Sequence, residues 1–169
     1  MAPTTGPLLV AAVLLVLAGA PKVVDPALAV GALRSVGARV PPVAVRAMGA
    51  VEAALGLATL LIGGRVLAGL VAASYAGFTA FLVVALRRGG AVSSCGCVGR
   101  EDTPPTVSHV VVTAGLTVAA ALAAGLGADG LTDLEWNVNA AALLAFTGFA
   151  IWLCWLIFTA LPRLSMKDV

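Results

Sequence analysis

The sequence predicts an all-α fold, that of a polytopic membrane protein with five transmembrane helices in a single membrane domain. Two observations lead to this prediction. The chain of 169 residues is 61% hydrophobic and only 11% charged, whereas a soluble domain carries about 25% charged residues. Five apolar stretches are also long enough to cross the hydrocarbon core, which takes about 20 residues of helix. No basic stretch is interleaved with aromatic residues, so nucleic-acid binding is not predicted.

The spans are predicted over residues 7–24, 43–63, 66–86, 107–128 and 138–161. Ala18-Gly19-Ala20 imitates a signal-peptidase site, but no cation precedes this stretch, so we expect a retained first helix. Asp25-Pro26 is typical of a helix start. Apolar residues at helical spacing beyond it predict an amphipathic surface helix over about 26–40, and Pro41-Pro42 is expected to end that helix.

A loop with two cysteines, predicted over residues 89–106, carries the strongest chemical signal. Its centre reads Cys95-Gly96-Cys97-Val98-Gly99. Two thiols separated by one residue can close into a strained disulfide, and such disulfides tend to be oxidising and labile. The pair could instead bind a soft metal ion, or could simply be two small residues in a turn. A third cysteine, Cys154, lies in the fifth span, where a buried free cysteine is usually inert.

Five polar side chains in or near the predicted spans are candidate functional groups. Glu52 lies nine residues into the second span, roughly 13 Å from its start at 1.5 Å per residue, and an ionisable residue at that depth indicates a functional site. Lys22 and Arg46 lie near span ends, where they could simply snorkel to the headgroups. His109, the single histidine, could be an interfacial polar residue. Tyr75 lies in mid-span and is expected mainly to pack.

Basic residues are distributed unevenly between the two sides of the predicted bundle. Nine of the ten fall on the side of the cysteine loop: Lys22, Arg34, Arg39, Arg46, Arg87, Arg88, Arg100, Arg163 and Lys167. Arg65 falls on the other side, together with Asp129, Asp133 and Glu135. The positive-inside rule therefore predicts a multi-pass protein of the plasma membrane with its amino terminus outside and its cysteine loop in the cytoplasm.

The same alternation of sides brings the candidate residues into one half of the membrane. Lys22 is predicted to pair with Glu52 inside the bundle. Cations near the cysteine loop would lower the pKa of a thiol and favour the thiolate, which is the reactive form. A metal site remains open at this point, because Glu52 and His109 could join two thiolates in a set of four ligands.

These residues resemble the MauE family, which belongs to the wider group of DoxX-like membrane proteins. The resemblance covers about residues 8–128 and rests on Lys22 with Asp25-Pro26, Glu52, Arg87 with Gly89, and the Cys95–Gly99 motif. The family motif usually reads CGCFG, and Val98 replaces the phenylalanine here. The resemblance implies a four-helix bundle of the DoxX/MauE type, to which this chain adds a fifth transmembrane helix.

The resemblance also implies a function. MauE is linked to the maturation of a disulfide-rich periplasmic enzyme subunit, and DoxX relatives include subunits of thiosulfate:quinone oxidoreductase. We therefore expect a thiol–disulfide oxidoreductase that exchanges electrons with a partner protein, either thioredoxin-like or a client, and with a quinone as a candidate cofactor. The candidate catalytic residues are Cys95, Cys97, Glu52, Lys22 and His109. Arg46 and Tyr75 are the candidate quinone-binding residues.

Two other classes of function remain open from the sequence. One is a protein that binds or transports a metal or small molecule through the two cysteines with Glu52 and His109. The other is a membrane scaffold for a redox complex, in which the cysteines and Glu52 could be replaced without consequence.

Overall fold

A computed structural model describes residues 2–88 and 106–159, with side chains up to residue 157. These residues form the helices α1 (Thr5–Val24), α2 (Ala27–Ser35), α3 (Pro42–Ile62), α4 (Arg65–Arg87), α5 (Val107–Leu126) and α6 (Val138–Thr159). All but α2 are long and apolar enough to cross a membrane, which confirms the predicted all-α fold with five candidate spans. The cysteine motif and the last residues of the predicted fifth span lie outside the described residues.

Helix α2 is shorter than the surface helix predicted over residues 26–40. It ends at Ser35 because Gly37 adopts a left-handed conformation, with φ of 86°. The N–H groups of Gly37 and the next residue donate to carbonyls of the last helical turn, at 2.8 and 2.9 Å, as in a Schellman motif. The prediction that Pro41-Pro42 ends this helix was wrong. Pro42 instead begins α3, where proline suits the first turn.

Helices α1 and α3 pack closely because glycines line their contact. The buried residues of α3 recur every three or four positions: Val45, Gly49, Glu52, Gly56 and Thr59. A Cβ atom added at Gly49 would lie 2.7 Å from both the Gly19 carbonyl oxygen and Lys22 Cβ, and one added at Gly56 would lie 2.7 Å from the Ala12 carbonyl oxygen. Small residues allow such close packing of membrane helices. The α1–α3 contact therefore presses the stem of Lys22 against the α3 backbone.

The apolar core lies between α1, α4 and α5, and α6 packs against its outside. Tyr75 of α4 belongs to this core, and its hydroxyl donates a hydrogen bond of 2.8 Å to the Ala11 carbonyl of α1. In α6 only 11% of the candidate span is buried. Gly6 provides a close contact with this outer helix, since a Cβ atom there would lie 3.1 Å from Leu143 Cδ1.

One end of the bundle is closed by hydrogen bonds between chain segments. The Asp129 carboxylate accepts from the Ala2 N–H at 2.8 Å, and the Asp129 N–H donates to the Thr5 hydroxyl at 3.1 Å. The Gly64 N–H donates to the Ala128 carbonyl at 2.9 Å. The opposite end holds Arg88 and Thr106, where the described chain stops and resumes. The segment with the two cysteines therefore connects helix termini at the end opposite the closed one.

We predict that Gly49→Ala destabilises the protein, because the new methyl group would meet a backbone carbonyl and the Lys22 stem at 2.7 Å. Overpacking of this kind costs about 1–3 kcal/mol. Thermal unfolding in detergent measures the effect. Gly115→Ala is the matched control, because a Cβ atom at Gly115 meets nothing within 4 Å. Equal melting temperatures for the two variants would contradict the close α1–α3 contact.

Candidate functional site

A buried ion pair joins α1 to α3. Lys22 Nζ lies 2.6 Å from Glu52 Oε2, and each residue is only 5% exposed. Lys22 is in the last turn of α1, and Glu52 is in the middle of α3. The pairing predicted from the sequence is therefore present. Removing two charges from water is costly, and close contact with good geometry is what offsets that cost.

Aromatic side chains of α4 complete the surroundings of the pair. Lys22 Nζ lies 4.7 Å from the centroid of the Phe78 ring, a distance at which a cation is attracted to the face of the ring. The edge-to-face packing of Phe78 and Tyr75, with ring centroids 5.7 Å apart, holds the Phe78 ring in place. Phe78 was not among the residues predicted from the sequence. Its spacing of three residues from Tyr75, which puts both on one helix face, was the available signal.

His109 is buried in the first turn of α5 and is only 1% exposed. Its Nδ1 shares a hydrogen bond of 2.7 Å with the hydroxyl of Thr106, the first described residue after the cysteine segment. The Thr113 hydroxyl donates to the His109 carbonyl at 2.9 Å and also lies 2.9 Å from the Thr79 hydroxyl. These contacts fix the start of α5 and hold the imidazole inside the bundle.

Lys22 lines two cavities. The smaller, of about 50 Å³, has both Lys22 and His109 in its wall and so connects the ion pair with the start of α5; its other lining residues are Leu14, Leu17, Ala18, Tyr75, Phe78, Leu82, Thr113 and Trp155. The larger, of about 500 Å³, lies between α2, α3 and α4. We call it the lateral groove; it is lined by Lys22, Ala29, Ala32, Leu33, Met48, Val51, Glu52, Ala73, Ser74, Gly77, Phe78 and Phe81.

The structure brings together some of the predicted site residues and not others. Lys22, Glu52, Tyr75 and His109 gather around the two cavities, although the Tyr75 hydroxyl is engaged by the α1 backbone. Arg46 is exposed on α3 and lines neither cavity.

The cysteines are divided between two regions of the chain. Cys95 and Cys97 lie outside the described residues, so their predicted neighbours are untested. Cys154 of α6 is half-buried against the core. In the parts of the chain that are described, no group of three or more His, Cys, Asp or Glu side chains could hold a metal ion.

Fold and site together define a multi-pass, all-helical membrane protein with a Lys–Glu pair buried between the last turn of α1 and the middle of α3. A family model described as Methylamine utilisation protein MauE matches residues 2–128, which run from before α1 to just beyond α5. The chain therefore belongs to the MauE family, as its resemblance indicated, and α6 follows the matched region. No curated protein and no solved structure matches the chain.

We predict that the two charges of the pair are strongly coupled. Lys22→Met or Glu52→Met alone leaves an unmatched buried charge, which costs about 3–5 kcal/mol, whereas replacing both partners of a buried pair by apolar residues is often neutral. Unfolding free energies of the two single variants and the double variant, measured in detergent, test this coupling. Arg34→Met, which removes an exposed cation, should change little. Additive effects of the two single substitutions would contradict the coupling.

Proposed function

We propose that this MauE-family protein is a membrane-embedded thiol–disulfide redox protein. Cys95 and Cys97 would exchange electrons with a partner protein and so support the maturation of a redox or disulfide-containing protein. The observation that supports this proposal is the burial of Lys22, Glu52 and His109 in the half of the bundle that includes the end of α1 and the start of α5. The chain segment with the two cysteines begins and ends in that same half.

The electron exchange proceeds through a mixed disulfide. A thiolate of the partner attacks the Cys95–Cys97 disulfide, forms one new S–S bond and releases the other cysteine as a thiolate. The second thiolate of the partner then attacks the mixed disulfide, so the partner leaves oxidised and the two cysteines are reduced. Two electrons move in each cycle, and the sulfurs of the reduced pair take up protons. Reversal of these steps would reduce the partner instead.

The buried residues have separate roles in this scheme. Lys22 would act through the N–H donors of its ammonium group that Glu52 leaves available, because a hydrogen bond from a nearby ammonium group lowers the pKa of a thiol and favours the thiolate. Glu52 holds that cation in place through the contact of 2.6 Å or accepts a proton. His109 follows the cysteine segment directly in the chain, and histidine is well suited to pass protons near neutral pH.

A quinone is the proposed electron acceptor that returns the cysteine pair to its disulfide. The quinone would take two electrons and two protons and leave as the quinol, which balances the electrons given up by the two thiols. The resemblance to DoxX-like proteins supports this part of the proposal. The surroundings of Arg46 and Tyr75 do not add to it, because Arg46 lies away from both cavities and the Tyr75 hydroxyl is bonded to the Ala11 carbonyl.

The redox proposal predicts that Cys95 and Cys97 are joined in a reducible disulfide during turnover. Membranes are treated with a maleimide that adds mass to each free thiol, with and without prior reduction. We expect two additional modified cysteines after reduction. Cys154→Ser should keep this difference, and the variant with both Cys95→Ser and Cys97→Ser should lose it. A pattern that reduction leaves unchanged would contradict the disulfide, and continued client maturation in the double variant would favour a scaffold.

We further propose that the end with the cysteines faces the cytoplasm in the plasma membrane, where a thioredoxin-like partner would be available. Described cations at this end include Arg34, Arg87 and Arg88, whereas Asp129 and Asp133 lie at the opposite end. This distribution follows the positive-inside rule. A client that matures outside the cytoplasm would instead need the cysteine segment to face outward.

The proposed orientation predicts that a membrane-impermeant maleimide does not modify Cys95 or Cys97 in intact cells, even after reduction with a permeant reductant. Modification should appear once the cells are opened, and mass spectrometry locates it. A cysteine introduced at Trp136, which is exposed between α5 and α6, is the matched control and should react in intact cells. Modification of the motif cysteines from outside would reverse the orientation and favour an extracytoplasmic client.

A further inference from the structure

The lateral groove has the size and lining of a ligand site. Its volume of about 500 Å³ falls within the range of about 300–1,000 Å³ that is usual for such sites, which are mostly apolar with a few placed polar groups. Ala29 and Ala32 of α2, both buried, form one wall at the end of the bundle. Its polar lining residues are Lys22, Glu52 and Ser74. The Ser74 hydroxyl donates to the Leu70 carbonyl at 3.0 Å, and the buried Lys22–Glu52 pair forms the floor of the groove.

The groove opens sideways, between two helices that are long and apolar enough to cross a membrane. Its α3 wall includes Met48 and Val51, which are 41% and 66% exposed. On the α4 wall, a Cβ atom added at Gly77 would meet no heavy atom within 4 Å. The open side therefore faces the lipid phase, and a ligand would enter from the bilayer with its apolar part against these walls.

The floor determines the head group that the groove can accept. Lys22 and Glu52 already neutralise each other at 2.6 Å, so a charged head group would bring an unmatched charge into a buried place at high cost. An uncharged head group meets no such penalty. A carbonyl or hydroxyl oxygen could accept a hydrogen bond from the Lys22 ammonium, which has three donors, and a hydroxyl could donate to the Glu52 carboxylate.

We propose that the lateral groove binds an uncharged, lipid-soluble molecule whose carbonyl or hydroxyl head group contacts the Lys22–Glu52 pair. The ligand comes from the bilayer, and its tail lies against α3 and α4. This inference goes beyond the proposed thiol chemistry and does not require it. Quinones belong to this chemical class, so the groove would also provide the proposed electron acceptor with a binding site.

The experiment uses three photoactivatable probes with the same octadecyl chain, which carries a diazirine, and different head groups: a hydroxyl, a trimethylammonium and a sulfonate. The full-length protein is reconstituted in phosphatidylcholine vesicles, illuminated with each probe, and mapped by mass spectrometry. We expect the alcohol to label groove residues such as Met48, Val51 and Phe81 severalfold more than either charged probe. Equal labelling by all three probes would overturn the preference for an uncharged head group.

Two matched glycine substitutions keep the test independent of the ion pair. Gly77→Leu places a side chain in the groove and should reduce labelling by the alcohol to background. Gly148→Leu on α6 is the control, because a Cβ atom there also meets nothing within 4 Å and Gly148 lines neither cavity. Undiminished groove labelling in Gly77→Leu, with an unchanged melting temperature, would overturn the site. Neither outcome depends on the cysteines, so this test stands apart from that of the redox proposal.

Discussion

The burial of two opposite charges, Lys22 and Glu52, is the constraint that the packing of α1 against α3 has to satisfy. Opposite charges 2.6 Å apart and almost fully buried stabilise a membrane protein only when both are held in place, because either one alone would be an uncompensated charge. Gly19 and Gly49 help to fix the positions of the two charges, because they allow the backbones of α1 and α3 to come into contact. The Phe78 ring also contacts the Lys22 ammonium group, which lies over its face.

The two ends of the bundle differ in the roles of their polar groups. At one end, the Asp129 carboxylate accepts a hydrogen bond from the Ala2 N–H, which joins the residues before α1 to the α5–α6 connection. The Gly64 N–H donates to the Ala128 carbonyl, which joins the α3–α4 connection to the same segment. Toward the other end, Lys22, Glu52 and His109 form parts of the walls of two cavities. A cavity of about 400 Å³ also lies near the closed end, between α1, α5 and α6, but its lining is uncharged, whereas the cavities at the opposite end have Lys22, Glu52 and His109 in their walls. This difference supports assigning the redox proposal to the end with the cysteine segment.

Much of the fold could be predicted from the sequence, because long apolar runs with few charges have few alternatives to membrane helices. The Lys22–Glu52 pairing was predictable for a related reason, since two opposite charges in the same half of a bundle have few other partners. The glycine contact between α1 and α3 could not be predicted, because in a chain with 19 glycines their spacing alone does not indicate which helices meet. Phe78 and the lateral groove depend on how α4 is rotated and separated from α3, which no local pattern fixes. The end of α2 depends on the left-handed Gly37, whereas the two prolines had predicted an end several residues later.

The redox proposal gives the buried ion pair a role in the thiol chemistry of the cysteine segment. The most direct test is the rate at which the Cys95–Cys97 pair is reoxidised in membranes after brief reduction, measured in a Cys154→Ser background by alkylation of free thiols. The variant with Lys22→Met and Glu52→Met, which removes both charges without leaving one unmatched, is compared with the parent. We expect reoxidation to be severalfold slower in this variant at an unchanged melting temperature. Equal rates in two folded proteins would contradict it and would leave the ion pair as a structural element alone.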